Sequence, residues 1–413
     1  MFTEVQIENY KSIQSLKINL GRVNVFIGEN GCGKSNILEA IALAGAAAGN
    51  KLDNEFLAPR GIRVTEPEFM RSAFKKEKIT NTIKINIKRD DEIPFTNDND
   101  EVILNFELQN DNKPYSAWSN ISMNSLFKAL EDNETKRVNA LAQQAKIFFQ
   151  EQINQGNLKH LKNDLDPKSI EETSFAFAYN FLKQMSISIK KSSLDLKDFI
   201  IYSPENSFLR TFKEEGQVQP LGTKGEGLLK LLKVLNNSPD KINEIKKRLE
   251  LIDWFGDFNI DHNNSDLEKN IQIKDRYLDK ELPYFNQRSS NEGFLFLMFY
   301  FALFVSDDTP KFFAIDNIEN ALNPKLCTRL IQELVELAKK YDKQVIFTTH
   351  NPAVLDGLDL HDGEQRLFTI YRNIYGHTKA ERIFAPEPLD DDDPVPLSEA
   401  FMNGYIGGLP NNF

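Results

Sequence analysis

Apolar residues along this chain fall into short blocks whose spacing separates strands from helices. Val5 and Ile7 alternate with polar neighbours, and Val23-Asn24-Val25-Phe26-Ile27 is a short β-branched run followed by glycine, the pattern of a buried strand. The opening therefore reads as strand, turn, strand. A helix follows from Lys34-Ser35, with Ile37, Leu38, Ile41 and Ala42 as its apolar stripe. Residues 83–88 (IKINIK) alternate strictly and residues 102–108 (VILNFEL) less cleanly, with the polar stretch DDEIPFTNDND between them, which predicts an antiparallel pair. Residues 121–198 are rich in Lys, Gln, Asn and Glu with spaced Leu and Phe, and read as a helical insertion. The FIIYSP stretch at 199–204 returns to a sheet, a helix is predicted from Glu226 to Leu235, and 256–282 reads as polar and peripheral. The wholly apolar run Phe294 to Val305 predicts a buried helix. Phe312 to Ile315, Val345 to Thr348 and Arg366 to Tyr371 are strand candidates, with an amphipathic helix from Lys325 to Lys340 between the first two. The acidic run Asp390 to Asp393, followed by Pro394 and Pro396, starts a weakly structured tail.

The class is α/β. Residues 1–120 form the first part of a head with an antiparallel β subdomain, 121–198 the helical insertion, 199–385 the second part of the head, and 386–413 the tail. Length and charge narrow this further. A chain of 413 residues makes two or three structural units. The net charge of −11 argues against a protein that coats polyanions, though a local basic groove stays open. Two cysteines, Cys32 and Cys327, make neither a disulfide framework nor a four-thiolate zinc site, so a reducing cytoplasm fits best. The N-terminal stretch has no basic start followed by an apolar core, and the twelve-residue run Phe294 to Val305 falls short of the roughly 18–20 residues of a membrane span, so no membrane is expected.

The chemistry concentrates in three places. Gly28-Glu29-Asn30-Gly31-Cys32-Gly33-Lys34-Ser35 fits G-x-x-x-x-G-K-S directly after a predicted strand and before a predicted helix, the context this pattern requires. The glycines let backbone N–H groups turn toward phosphate oxygens, and the helix N-terminus adds partial positive charge. Lys34 would reach the β- and γ-phosphates and the Ser35 hydroxyl would ligate Mg²⁺. Cys32, beside a helix N-terminus, is expected to favour thiolate and to be labelled by a maleimide unless Mg-ATP protects it. Second, Phe312-Phe313-Ala314-Ile315-Asp316 is an apolar strand ending in an acid that would hold Mg²⁺ through water. Its remoteness from Lys34 implies a large insertion between the two halves. Third, the strand from Val345 delivers Thr348-Thr349-His350-Asn351-Pro352, where a neutral imidazole could hydrogen-bond a γ-phosphate. Other features read as ordinary structure. Arg71, Lys75, Lys76 and Lys78 make a solvated basic face, and Gly222 to Gly227 a loop with a helix start.

With these residues in order, the chain resembles the ABC-type ATPases of the SMC/RecF/OLD group, the stand-alone prokaryotic ATPases in particular. Ile7-Glu8-Asn9-Tyr10-Lys11-Ser12-Ile13 is similar to that group's opening I-x-N-[FY]-[KR]-S-[IF], and GENGCGKSN to its G-x-N-G-x-G-K-[ST]-[NT]. Asp316 to Pro324 is similar to D-E-P-E-x-x-L-H-P, and Thr348 to Pro352 matches T-T-H-[SN]-P. The resemblance covers about residues 1–45 and 200–385. It implies an ABC-type P-loop NTPase head that binds ATP with Mg²⁺. Lys11, Asn30, Gly31, Cys32, Gly33, Lys34, Ser35 and Asn36 would hold the nucleotide, Ser35 and Asp316 the metal, and His350 would act in catalysis. It also implies a head-to-head dimer in which a signature loop completes the partner's site. The best match here is Arg288 to Gly293, with Ser290 or Asn291 as the hydrogen-bond donor and Gly293 beside them.

Two departures carry weight. The family's catalytic Glu follows the Walker B Asp, and here that position is Asn317, a neutral amide that can orient water but not take its proton. Glu319 is the nearby carboxylate, matching the second acid of the family motif. The signature itself departs from L-S-x-G. The resulting expectation is a slowly hydrolysing, ATP-gated dimeric switch. No long heptad arm is present, and the stretch after His350 is too short for a Toprim nuclease domain. The resemblance therefore points to a separate effector, a nuclease or toxin, as in antiphage systems, with nucleic acid left open as a further partner. A non-hydrolysing ATP-bound scaffold and a RecF-like repair ATPase are the competing readings.

Overall fold

The computed structural model describes residues 1–74, 82–90, 101–113, 116–122, 191–212, 220–260, 270–385 and 395–409. Strands β1 (Phe2–Tyr10) and β2 (Ile13–Asn19) form a hairpin, and β3 (Val23–Ile27) runs into helix α1 (Lys34–Ala48). Then come β4 (Thr82–Asp90), β5 (Glu101–Gln109), β6 (Ser119–Asn120) and β7 (Ile201–Tyr202). Helices α2 (Leu228–Leu235) and α3 (Pro239–Leu249) precede β8 (Phe255–Ile260), β9 (Ile271–Asp275) and β10 (Phe285–Asn286). The remainder alternates: α4 (Glu292–Val305), β11 (Phe312–Ile315), α5 (Pro324–Lys340), β12 (Gln344–Thr349), a 3₁₀ turn Pro352–Gly357, β13 (Gln365–Arg372), β14 (Thr378–Ile383) and α6 (Leu397–Met402).

The site hangs on a six-stranded sheet of order β14-β13-β3-β12-β11-β7. Its strands are parallel except β14, which closes one edge antiparallel to β13. The inner strands β3, β11 and β12 are buried along their whole length, so they read as largely apolar runs. Phe312 and Ala314 of β11 face one core with Phe26, while Phe313 and Ile315 face the other with Val23, Val25 and Ile27.

The first core lies between this sheet and a five-stranded antiparallel sheet, β2-β1-β4-β5-β6, with α1 sandwiched between them. The expected stripe on α1 is therefore too narrow. Lys34 and every residue from Ile37 to Ala47 are buried, and the small residues Ala44 to Ala47 allow close approach on all sides. A Cβ on Gly45 would sit 2.5 Å from the Leu196 carbonyl oxygen. The antiparallel pair expected at 83–88 and 102–108 is β4 and β5, in register from Thr82↔Gln109 to Asp90↔Glu101.

The second core is dominated by α4, whose residues Phe294 to Val305 are all buried, as the apolar run predicts. Four further sequence expectations are corrected. Arg71, expected on a solvated basic face, is buried and donates to the Asn110 carbonyl at 3.1 Å. A strand, β2, stands between the first and the Val23 run. The polar, peripheral reading of 256–282 fails for its two strands: β8 and β9 form with β10 a small antiparallel sheet, with Phe258, Ile260, Ile271 and Ile273 in the second core. The tail carries α6, which packs on the 3₁₀ turn with Phe401 buried and the Ser398 N–H donating to Asp356 Oδ1 at 2.9 Å. Most of the 121–198 insertion, Lys75, Lys76 and Lys78, and Asp390 to Asp393 lie outside the described residues. Among the described residues no helix is long and apolar enough to cross a membrane.

Candidate functional site

Three parallel strands, β3, β11 and β12, end side by side and deliver the three sequence motifs to one edge of the sheet. After β3 the chain turns through Gly28 to Gly33. At Gly33 (φ 111°) a Cβ would fall 2.1 Å from Thr378 Oγ1, so both the left-handed backbone and the space demand glycine. Gly33 is also the N-cap of α1 and offers no side-chain acceptor, so the first N–H groups of the helix are not capped by a side chain. The β13–β14 hairpin braces the loop from outside: Arg372 Nε donates to the Gly31 carbonyl at 2.9 Å, and Thr378 Oγ1 to the Cys32 carbonyl at 2.8 Å.

Lys34 is buried, and its ammonium donates to the carbonyls of Gly28 (2.8 Å) and Glu29 (3.1 Å), with His350 Nδ1 at 3.4 Å. Burial lowers the Lys34 pKa, and burial together with the Lys34 charge lowers that of His350, which keeps the imidazole neutral and able to accept. Asp316 Oδ2 accepts from Ser35 Oγ at 3.2 Å across 281 residues of sequence, and its Oδ1 accepts from Thr348 Oγ1. Asn317 takes a left-handed backbone (φ 54°), a conformation asparagine tolerates better than most residues, and donates its N–H to Thr348 Oγ1 at 2.9 Å. Glu319 turns aside: its Oε1 accepts the His350 N–H at 2.8 Å, and its Oε2 is buried without a hydrogen-bond partner.

Lys34, Ser35, Asp316, Asn317 and His350 line a cleft of about 260 Å³ together with Asn30, Gly31, Gly33 and Asn36; Glu319 is not among its lining residues. Sequence reading missed two of its members, Arg63 and Arg372. Arg372 follows directly on the predicted strand Arg366 to Tyr371, a usable signal; Arg63 sits in an irregular loop with none. The donor set suits Mg²⁺. Ser35 and Asp316 offer two hard oxygens, and among the described residues no cluster of three or more His, Cys, Asp or Glu stands ready to enclose a metal. A few protein oxygens plus water and phosphate is how Mg²⁺ is usually held.

The other expected residues lie elsewhere. Lys11 lines an adjoining hollow of about 450 Å³, its ammonium paired with Glu39. The Cys32 side chain points into the first core with no exposed surface, and burial raises its pKa against the pull of Lys34, so the expected reactive thiolate is overturned. Asn291 and Gly293 line a separate hollow of about 920 Å³ with Ala321 and Lys325. Asn291 is the N-cap of α4, its Oδ1 accepting the Phe294 N–H at 2.8 Å, and Ser290 beside it is buried with an unpartnered hydroxyl.

Residues 1–355 match the family model described as AAA ATPase domain. Among curated proteins, MJECL44 of Methanocaldococcus jannaschii is 33% identical over 112 residues, 25% of this chain and 34% of that protein. The DNA replication and repair protein RecF of Clostridium perfringens is 35% identical over 89 residues, 21% of this chain and 24% of RecF. The chain thus spans about a third or less of these relatives. A solved Smc head bound to the C-winged helix domain of ScpA superposes with a TM-score of 0.55 at 13% identity, covering 93% of this chain and 98% of that one. The Smc head of Pyrococcus furiosus with an extended coiled coil, bound to the C-terminal domain of ScpA, gives 0.50 at 14% identity, covering 93% and 96%. These two likenesses establish a shared fold.

Proposed function

Because this chain belongs to the AAA ATPase domain family, we propose that it binds ATP with Mg²⁺ in the cleft at the sheet edge and hydrolyses it slowly, as an ATP-gated dimeric switch. The carrying observation is the convergence of Lys34, Ser35, Asp316, Asn317 and His350 on one cleft from three distant stretches of sequence. Backbone N–H groups of the glycine loop and the start of α1 cradle the phosphates, and Lys34 and Arg372 add charge. Ser35 and Asp316 would hold Mg²⁺, which supplies charge neutralisation at the phosphates when bound. Asn317 faces the cleft and orients the attacking water, His350 hydrogen-bonds the terminal phosphate or that water, and Glu319 fixes the His350 backbone.

Without a carboxylate at Asn317 the water lacks a general base, a loss of about 10²–10⁴-fold. Slow turnover suits a device that stays closed until triggered. The signature residues lie outside their own chain's cleft, which supports a dimer in which Ser290, Asn291 and Gly293 complete the other head's site. The partner we propose is a separate effector protein, a nuclease or toxin, in antiphage defence. The Smc head fold, captured in solved structures with ScpA, supports a protein partner of some kind; the defence setting rests on the motif resemblance alone.

Single-turnover hydrolysis tests the central claim. Asn317→Glu is expected to raise the rate at least about tenfold with little change in ATP affinity, even though glutamate in this left-handed position costs roughly 1–2 kcal/mol of stability. Glu319→Gln is expected to lower the wild-type rate. An unchanged rate in Asn317→Glu together with an abolished one in Glu319→Gln would make Glu319 the base and remove the slow-switch reading.

A further inference from the structure

We infer that Glu39, a residue too deeply buried to touch nucleotide, is a positioning residue that holds Arg63 at the mouth of the phosphate cleft. Glu39 lies on α1, one turn past Ser35 and Asn36 of the same helix, and is 1% exposed. Both of its oxygens are engaged. Oε1 accepts from Arg63 Nε at 2.5 Å and from the Arg63 backbone N–H at 3.5 Å; Oε2 takes the Lys11 ammonium and the Tyr10 hydroxyl, the latter at 3.3 Å. The Lys11 ammonium also donates to the Arg63 carbonyl at 3.2 Å, so backbone and side chain of Arg63 are tied to one buried knot.

Arg63 needs such an anchor. It sits in a stretch without regular secondary structure, and its side chain is 65% exposed. A free arginine there would sample many rotamers, and ordering it on binding would weaken affinity. Glu39 fixes the Nε edge, and Arg63 Nη2 donates to Asn36 Oδ1 at 2.9 Å, which leaves the guanidinium lining the cleft. The phosphate cleft and the adjoining hollow share Asn36, Arg63 and Arg372. A nucleotide whose phosphates fill the first and whose remainder extends into the second passes Arg63 at the junction. The role of Glu39 is thus preorganisation of a cation for an anionic substrate, and it rests on the ATP-binding reading above.

The test is a double-mutant cycle on the equilibrium affinity for a fluorescent ATP analogue, measured well below each variant's melting temperature. Glu39→Gln and Arg63→Ala are each expected to weaken binding about tenfold, and the double variant by no more than about twofold beyond either single. A purely structural Glu39 would change melting temperature and leave affinity within about twofold of wild type, and that result overturns the inference, as do losses that multiply to about a hundredfold. Should Glu39→Gln fail to fold, Glu39→Asp keeps the buried charge and withdraws it from Arg63, and the same non-additivity with Arg63→Ala is expected. Lys34→Ala separates the two levels. If it binds like wild type, the ATP reading itself fails; if it loses binding while Glu39→Gln keeps it, only the role of Glu39 fails.

Discussion

Two buried helices present their N-termini at functional loops, and they are finished in opposite ways. Helix α1 begins behind Gly33, left-handed and without a side-chain cap, and has no acid in its first turn. Helix α4 begins behind Asn291, extended at φ −72° and ψ 156°, whose side chain takes the Phe294 N–H, and Glu292 supplies a negative charge in its first turn. Both helix ends concentrate positive partial charge. At α4 the chain satisfies that end from within; at α1 it is left to an external anion. The phosphate loop is therefore a binding site in its own right. The signature region is a self-capped helix start, which fits the proposal that it acts on a phosphate held by another head.

The strongest way to break this contrast is Lys34→Ala. It is expected to reduce affinity for a fluorescent ATP analogue by at least about a hundredfold, and binding within about twofold of wild type would remove the anion-site assignment of α1. Next is Ser290→Arg at the other helix. It is expected to weaken ATP-induced tightening of the dimer by about tenfold in analytical ultracentrifugation, with single-head affinity for nucleotide retained. Loss of single-head affinity in this variant would place the signature region in its own chain's site. The smallest effect sharpens the comparison: Asn291→Ala, removing the cap, is expected to cost about 1 kcal/mol in urea unfolding and to leave the nucleotide affinity of the single head unchanged.

Much of the site is legible in the sequence. The strand ends carrying Gly28, Asp316 and His350 stood out because strands buried on both faces are unbroken apolar runs punctuated by polar residues. Other elements were hidden by weak or interrupted periodicity. In β2 the apolar positions Ile13, Leu16 and Ile18 slip out of alternation by one residue. In β8 and β9 the alternation of Phe258 with Ile260 and Ile271 with Ile273 is clean, but each run is short and a polar stretch separates them. The α1 stripe looked one-sided because its neighbours on both faces come from distant sequence. Arg63 and Glu39 left no trace, since a single charge on a helix or loop reads the same whether it is solvated or buried in a pair. Cys32 shows a local argument losing to a global one: the adjacent Lys34 favours thiolate, and withdrawal of the sulfur from water outweighs it.

The strand order has a consequence for how the molecule comes into being. β3, near the start of the chain, is flanked by β12 and β13, both near its end. During translation at 5–20 residues per second, roughly 340 residues separate the emergence of Ile27 from that of Arg372, a wait of about 17–70 s. Until β12 emerges, about 320 residues after Ile27, the nascent β3 has neither of its partners, and until β13 and β14 follow, the loop that grips phosphate has no hairpin to brace it. The phosphate site is thus among the last parts of the molecule to take shape as the chain leaves the ribosome, and a truncated product that stops before β12 presents a bare apolar strand.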